Sequence, residues 1–262
     1  MSIDENGFLD EGINSWIGKH RDEHRSLFDI CQEVNRIAQT NLYKLNIHSK
    51  DVQEILLALL LIRALSAYQG SLLLIERGML TEAKILLRTL LEILFRIGAI
   101  SKSREIAQAY VLEDEKHRKK FLNKFKLLSD SVKEAHGNPE LDDLLNTLNQ
   151  NIAERDIKEL QTQWFAKKAG LDDYYNSAYS LFSLSVHANV RGLEELVTAD
   201  EEGNVKEFLS GPDVVGIPLL LLTAGEALIM ITYDISRAFK LDLENQLEKI
   251  HQRLKQAIEP DE

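Results

Sequence analysis

Lys84, Arg88, Glu92 and Arg96 recur every four residues in the apolar stretch MLTEAKILLRTLLEILFRIGAI, residues 79–100. On a helix this spacing places all four on one face, so Arg88 and Glu92 stack and can pair directly. A helix that is apolar almost all round belongs in the middle of a bundle, where an unpaired charge costs several kcal/mol. Two readings stay open. The row is either a stripe of ion pairs on an otherwise buried helix or a preorganised polar site in which Glu92 orients Arg88.

A second row follows in YYNSAYSLFSLSVHANVRGLEEL, residues 174–196, where Tyr175, Tyr179, Ser183, His187 and Arg191 again step by four. His187 is the chain's candidate catalytic imidazole, since its charge changes near neutral pH. Ser183 could hold its tautomer, and Asn189 lies close by. The alternative is a core histidine satisfied by a neighbouring hydroxyl or carbonyl.

A third feature is basic: Lys116, Arg118, Lys119, Lys120, Lys124 and Lys126, with Phe121 and Phe125 expected on the buried side. Such a run is a solvated face, or it guides RNA or a small phosphate-bearing ligand toward a cleft. His20 and His24 are four apart but lack a carboxylate pattern such as HExxH, so no metal is expected. Glycine-rich phosphate loops, nucleophile elbows and kinase motifs are absent from the sequence, and no cofactor is expected.

The elements that must position these residues read as helices. The 262 residues carry only 13 Gly and 4 Pro, which suits long helices with short connections. The expected architecture is all-α, a single bundle of about eight helices. Residues 1–9 form a flexible start, 10–48 hold the N-terminal helix, 49–197 the core helices and 213–258 the C-terminal helices. Residues 198–212 form a loop or a small hairpin around Glu202-Gly203-Asn204. Ser49, Asn138 (before Pro139) and Asp213 are expected N-caps, and Gly78 a tight connection.

The formal charge of −11 argues against a coat for duplex DNA. Cys31 is the only cysteine, which excludes an internal disulfide and fits a reducing compartment. The opening MSIDENGFLDEGINSW has neither the basic start nor the apolar core of a signal peptide, so a cytoplasmic protein is expected. Residues 214–233 are apolar over twenty positions with one charge, Glu226. That carboxylate would cost about 2.5–3.5 kcal/mol at a bilayer centre, so a bundle helix is expected there.

The run EAKILLRTLLE (82–92) and the later YSLFSLSVHAN (179–189) resemble a bacterial all-helical family catalogued as a domain of unknown function, number 5677. The resemblance implies a helical bundle with Glu82, Arg88 and Glu92 from the first motif near Tyr179, Ser183 and His187 from the second. A looser likeness links the chain to HEPN-type helical ribonucleases of toxin and phage-defence systems, which often act as dimers. Their Arg is followed by His on one helix; here Arg88 has no such His, and His187 precedes Arg191.

Two functions are carried forward. One is a metal-independent ribonuclease with His187 as general acid or base, Arg88 stabilising the phosphorane charge and Glu92 holding Arg88. Tyr179, Ser183, Asn189, Arg191, Lys116, Lys119 and Lys120 would then bind RNA. The other is a non-enzymatic helical module that binds a small anionic ligand or a protein partner. A homodimer is compatible with both.

Overall fold

The computed structural model describes residues 6–129, 141–186 and 190–258. The long helices are α1 (Ile13–Glu23), α2 (Arg25–Leu42), α3 (Val52–Glu76), α4 (Leu80–Ile100) and α5 (Arg104–Lys126). Then come α6 (Leu141–Glu154), α7 (Thr162–Ala169), α8 (Ile217–Phe239) and α9 (Glu244–Gln256). Between α7 and α8 lie a broken helical stretch and one antiparallel hairpin, β1 (Val197–Ala199) with β2 (Val205–Phe208). The expected all-α character is present, and the segment expected as a loop or a small hairpin forms the hairpin.

α4 is the axis. It packs against α3, α7 and α8, and Leu87, Leu90, Leu91, Leu94, Phe95 and Ile97 are fully buried there. On the opposite side of the core, the Tyr68 hydroxyl on α3 donates to the Cys31 carbonyl on α2 at 2.8 Å. The Cys31 thiol reaches the Leu221 carbonyl at 3.4 Å, and burial pushes its pKa up to about 11. That thiol is a packing group, inert as a nucleophile.

α3 and α8 are both long and apolar enough to cross a membrane by length and composition, and 56% and 67% of their apolar windows are buried inside the bundle.

Several boundaries differ from the sequence reading. The described residues hold nine helices of eight residues or more, with several shorter pieces, instead of about eight, because three expected helices are divided. The N-terminal helix breaks at His24, where neither Gly nor Pro stands. Arg21 pairs with Glu76 and stacks over Phe28, tying α1 to the end of α3 while α2 runs along α8. The helical stretch expected after Pro139 separates into α6 and α7 around Asp156, which has a positive φ of 45°. There the buried Glu113 carboxylate accepts the Leu160 backbone N–H at 2.7 Å.

The third division falls in the segment that carries Tyr175, Tyr179 and Ser183. Asp172–Tyr174 is α-helical, Tyr175–Tyr179 is a π-turn and Ser180–Ser183 is α-helical again. Short pieces follow at Leu184–Val186, Val190–Leu193 and Glu194–Leu196.

Capping was also partly displaced. Asp51, not Ser49, caps α3 by accepting from the Gln53 and Glu54 backbones. α8 starts behind Gly216 with Pro218 in its first turn, while Asp213 accepts from Val215 in the preceding turn. The expected cap at Asn138 lies outside the described residues. Phe121, expected on the buried side of α5, is 64% exposed and stacks on Phe125.

Gly78 makes the tight α3–α4 connection at φ +70°, and a Cβ there would come within 2.6 Å of Trp16 and 2.7 Å of Pro212. The position therefore needs both a left-handed backbone and empty space. Gly78→Ala is expected to lower stability by more than about 1 kcal/mol in urea denaturation, with an unchanged slope.

Candidate functional site

The four-residue row of α4 faces the broken stretch. The Arg88, Glu92 and Arg96 side chains retain 27%, 21% and 21% of their exposure, so the row lies in a seam between full burial and open solvent. The expected buried cluster is thus half-buried.

Glu92 is the hub. Its Oε1 takes Arg88 Nη2 at 3.0 Å and the Tyr179 hydroxyl at 3.0 Å, and its Oε2 lies 3.6 Å from Arg96 Nη1. Arg88 is held from three directions. Besides Glu92, Nη2 donates to the Tyr179 hydroxyl oxygen at 2.9 Å, and Nε donates to Ser183 Oγ at 3.1 Å. The guanidinium also sits 5.0 Å from the centre of the Tyr179 ring, within cation–π range.

The broken stretch supplies these partners through its π-turn. A π-turn widens the backbone by one residue and resets the phase of the side chains that follow it. Tyr175 and Tyr179 stack with ring centres 5.0 Å apart, and Phe95 of α4 meets Tyr179 edge-on at 5.8 Å. The Ser183 hydroxyl donates to the Tyr179 carbonyl at 2.8 Å, which leaves its lone pairs to accept from Arg88. Burial pushes the Tyr179 phenol pKa up and the Glu92 carboxylate adds to the rise, against Arg88 and a Thr162 hydrogen bond. Tyr179 therefore stays protonated at neutral pH and remains a donor to Glu92.

The ends of the row are anchored separately. Lys84 pairs with Glu195 at 2.6 Å, at the far end of the broken stretch. Arg96 donates to the Glu92 carbonyl and lies over both Phe165 and Tyr110, at 5.5 and 5.9 Å. Beside Arg96 opens a cleft of about 660 Å³ that also presents Thr162, His117 and Glu159.

Of the residues singled out from sequence, Arg88, Glu92, Tyr179 and Ser183 come together. His187 and Asn189 lie outside the described residues. Arg191 is exposed on Val190–Leu193, and Glu82 is exposed two residues before Lys84. Lys116 and Lys119 are half-exposed on α5, and Lys120 pairs at 2.5 Å with Glu159, which borders the cleft beside Arg96. Sequence reasoning did not find Thr162 or the aromatic seat of Arg96. Tyr110 and Phe165 come from α5 and α7, and no local spacing connects those helices to α4.

The model of a family of unknown function, DUF5677, matches residues 54–205, more than half of the chain. This protein belongs to DUF5677. The matched segment runs from the first turn of α3 into β2 and contains the whole row and its partners, so the DUF5677 portion includes the complete network. No curated protein and no solved structure matches the chain.

Removing the hub leaves two half-buried guanidinium groups and a phenol without their acceptor. Glu92→Ala is expected to cost about 1–3 kcal/mol by chemical denaturation. Lys84→Ala, at the exposed Glu195 pair, should cost less than about 1 kcal/mol.

Proposed function

We propose that this protein is a helical binding module that holds a small, phosphate-bearing anion at the Arg88–Glu92–Arg96 row. What supports the reading is unused donor capacity. Arg88 Nη1, Arg96 Nε and Arg96 Nη2 make no hydrogen bond to the described residues, while the other nitrogens of both groups are fixed by protein partners. Within the row two guanidinium groups face one carboxylate, while Glu113, Asp114 and Glu159 line the cleft beside Arg96. Guanidinium N–H pairs match phosphate oxygens in number and geometry. Tyr179, Ser183 and the aromatic seat of Arg96 would hold the donors in place before the ligand arrives, which reduces the ordering cost of binding.

The same row would serve a ribonuclease only with an imidazole beside it, and that role would fall to His187. A single pair of assays separates the two. Calorimetric titration with inorganic pyrophosphate and a nucleoside 5′-monophosphate is expected to give a Kd between about 10 μM and 1 mM. Arg96→Gln should weaken it by about tenfold or more without changing the circular dichroism spectrum. Absence of binding up to about 10 mM would reject the module reading. Cleavage of labelled RNA in EDTA that disappears in His187→Ala would replace it with the enzyme.

A further inference from the structure

The outer side of α3 takes no part in the row and stays exposed. A surface helix turns polar residues to water, and α2 does so, with Arg25, Ser26, Asp29, Gln32, Arg36 and Thr40 as its exposed residues. α3 does not. Its exposed residues are Val52, Leu59, Ile62, Arg63, Ser66 and Leu73, and Arg63 alone among them is charged. With Leu57, Leu61, Leu65 and Ile75 buried on the inner side, α3 is apolar all round, the pattern of a helix that is enclosed.

The spacing is more specific than the composition. Val52, Ile55, Leu59, Ile62, Ser66, Gln69 and Leu73 alternate steps of three and four over three heptads. That is the seam along which a second helix packs at about 20°, the side chains of each filling gaps in the other. Every exposed residue of α3 except Arg63 falls on this line, and Ile55 and Gln69 complete it half-buried. Leu59 and Leu73 keep 57% and 61% of their surface, so the seam is open near both ends. Gln69 donates to Asn35 at 3.0 Å and to Gln39 at 3.3 Å, and Gln39 donates to the Tyr43 hydroxyl at 3.4 Å. This chain of bonds sets the exposed Tyr43 at the margin of the line.

We propose that this line is an interface with a second copy of the same chain, in which α3 packs along α3 of the partner subunit across a two-fold axis. Heptad spacing calls for a helix as the occupant, and a two-fold axis makes one line its own complement. Three heptads run about 32 Å, and a strip of that length about two helix diameters wide covers about 700 Å² per chain. A standard interface takes roughly 800 Å² from each partner. A centre poor in charge with an aromatic residue at its margin is also interface composition. Ser66 and Gln69 would fix the register of the pair, as polar residues within such seams do. A lipid surface fits less well, because those two residues interrupt the apolar line and a formal charge of −11 opposes an anionic bilayer.

The test is sedimentation equilibrium of the full chain between about 1 and 100 μM. A species of twice the 29.9 kDa chain mass is expected, with a dimer Kd of about 10 μM or tighter. Leu59→Lys and Ile62→Glu should each raise that Kd by about a hundredfold or more, since the symmetry places every substitution in the interface twice. Both positions are exposed in the single chain, so the circular dichroism spectrum of each variant should match the wild type, and a lost dimer is not unfolding. Phe208→Glu, at an exposed aromatic on β2, should leave the dimer intact. A monomer throughout that range would overturn the proposal. So would a dimer that survives Leu59→Lys and Ile62→Glu, or one that only Phe208→Glu dissolves. A monomer that sediments with phosphatidylcholine vesicles unless Ile62 is replaced by Glu would assign the face to a lipid surface and overturn it too. None of these outcomes bears on pyrophosphate at the α4 row.

Discussion

One carboxylate shared by two arginines and a tyrosine governs how the second half of this chain is laid down. Glu92 takes Arg88 and Tyr179 on one oxygen and faces Arg96 with the other. Without it, α4 would carry two adjacent guanidinium groups along a helix whose remaining surface is core. With it, each charged group has a partner, and one of those partners belongs to a segment some ninety residues later in the chain. The polar row thereby does for the broken stretch what hydrophobic burial does for α3 and α8.

This explains why a poor helix is tolerated between Asp172 and Leu196. The stretch holds one π-turn and several short pieces, so its internal hydrogen bonding is weak. Its fixed points come from α4: Tyr179 and Ser183 on Arg88 and Glu92, Glu195 on Lys84, and the rings of Tyr175 and Tyr179 on Phe95. Irregular backbone held by a rigid helix is a common setting for ligand contacts, because positions can be exact without the segment being stable alone. On the other side of α4, Gly98 leaves room for Asp234, since a Cβ there would stand 3.3 Å from its Oδ2.

Much of this was legible in the residues. Four-residue steps put Arg88 with Glu92 on one face of α4 and Tyr179 with Ser183 on one face of a later segment, because helical phase is local information; that the two rows lie near each other was implied only by the family resemblance. The hairpin announced itself through Glu202-Gly203-Asn204. The breaks did not. His24 and Asp156 interrupt helices without Gly or Pro, and the forces responsible, Arg21 on Glu76 and Glu113 on Leu160, act across distant parts of the chain. The seat of Arg96 on Tyr110 and Phe165 was hidden for the same reason. Glu226 was visible as an oddity within an apolar run, but its partners Tyr174 and His251 lie on other elements.

The central claim is that Arg88 on α4 and Tyr179 on the broken stretch stabilise each other across the seam. A double-mutant cycle of Arg88→Met and Tyr179→Phe, read by urea denaturation, tests it most directly. A coupling of about 0.5–3 kcal/mol is predicted for groups that share one network. Single effects that add within about 0.5 kcal/mol would contradict it, and the row would then be a set of independent surface charges.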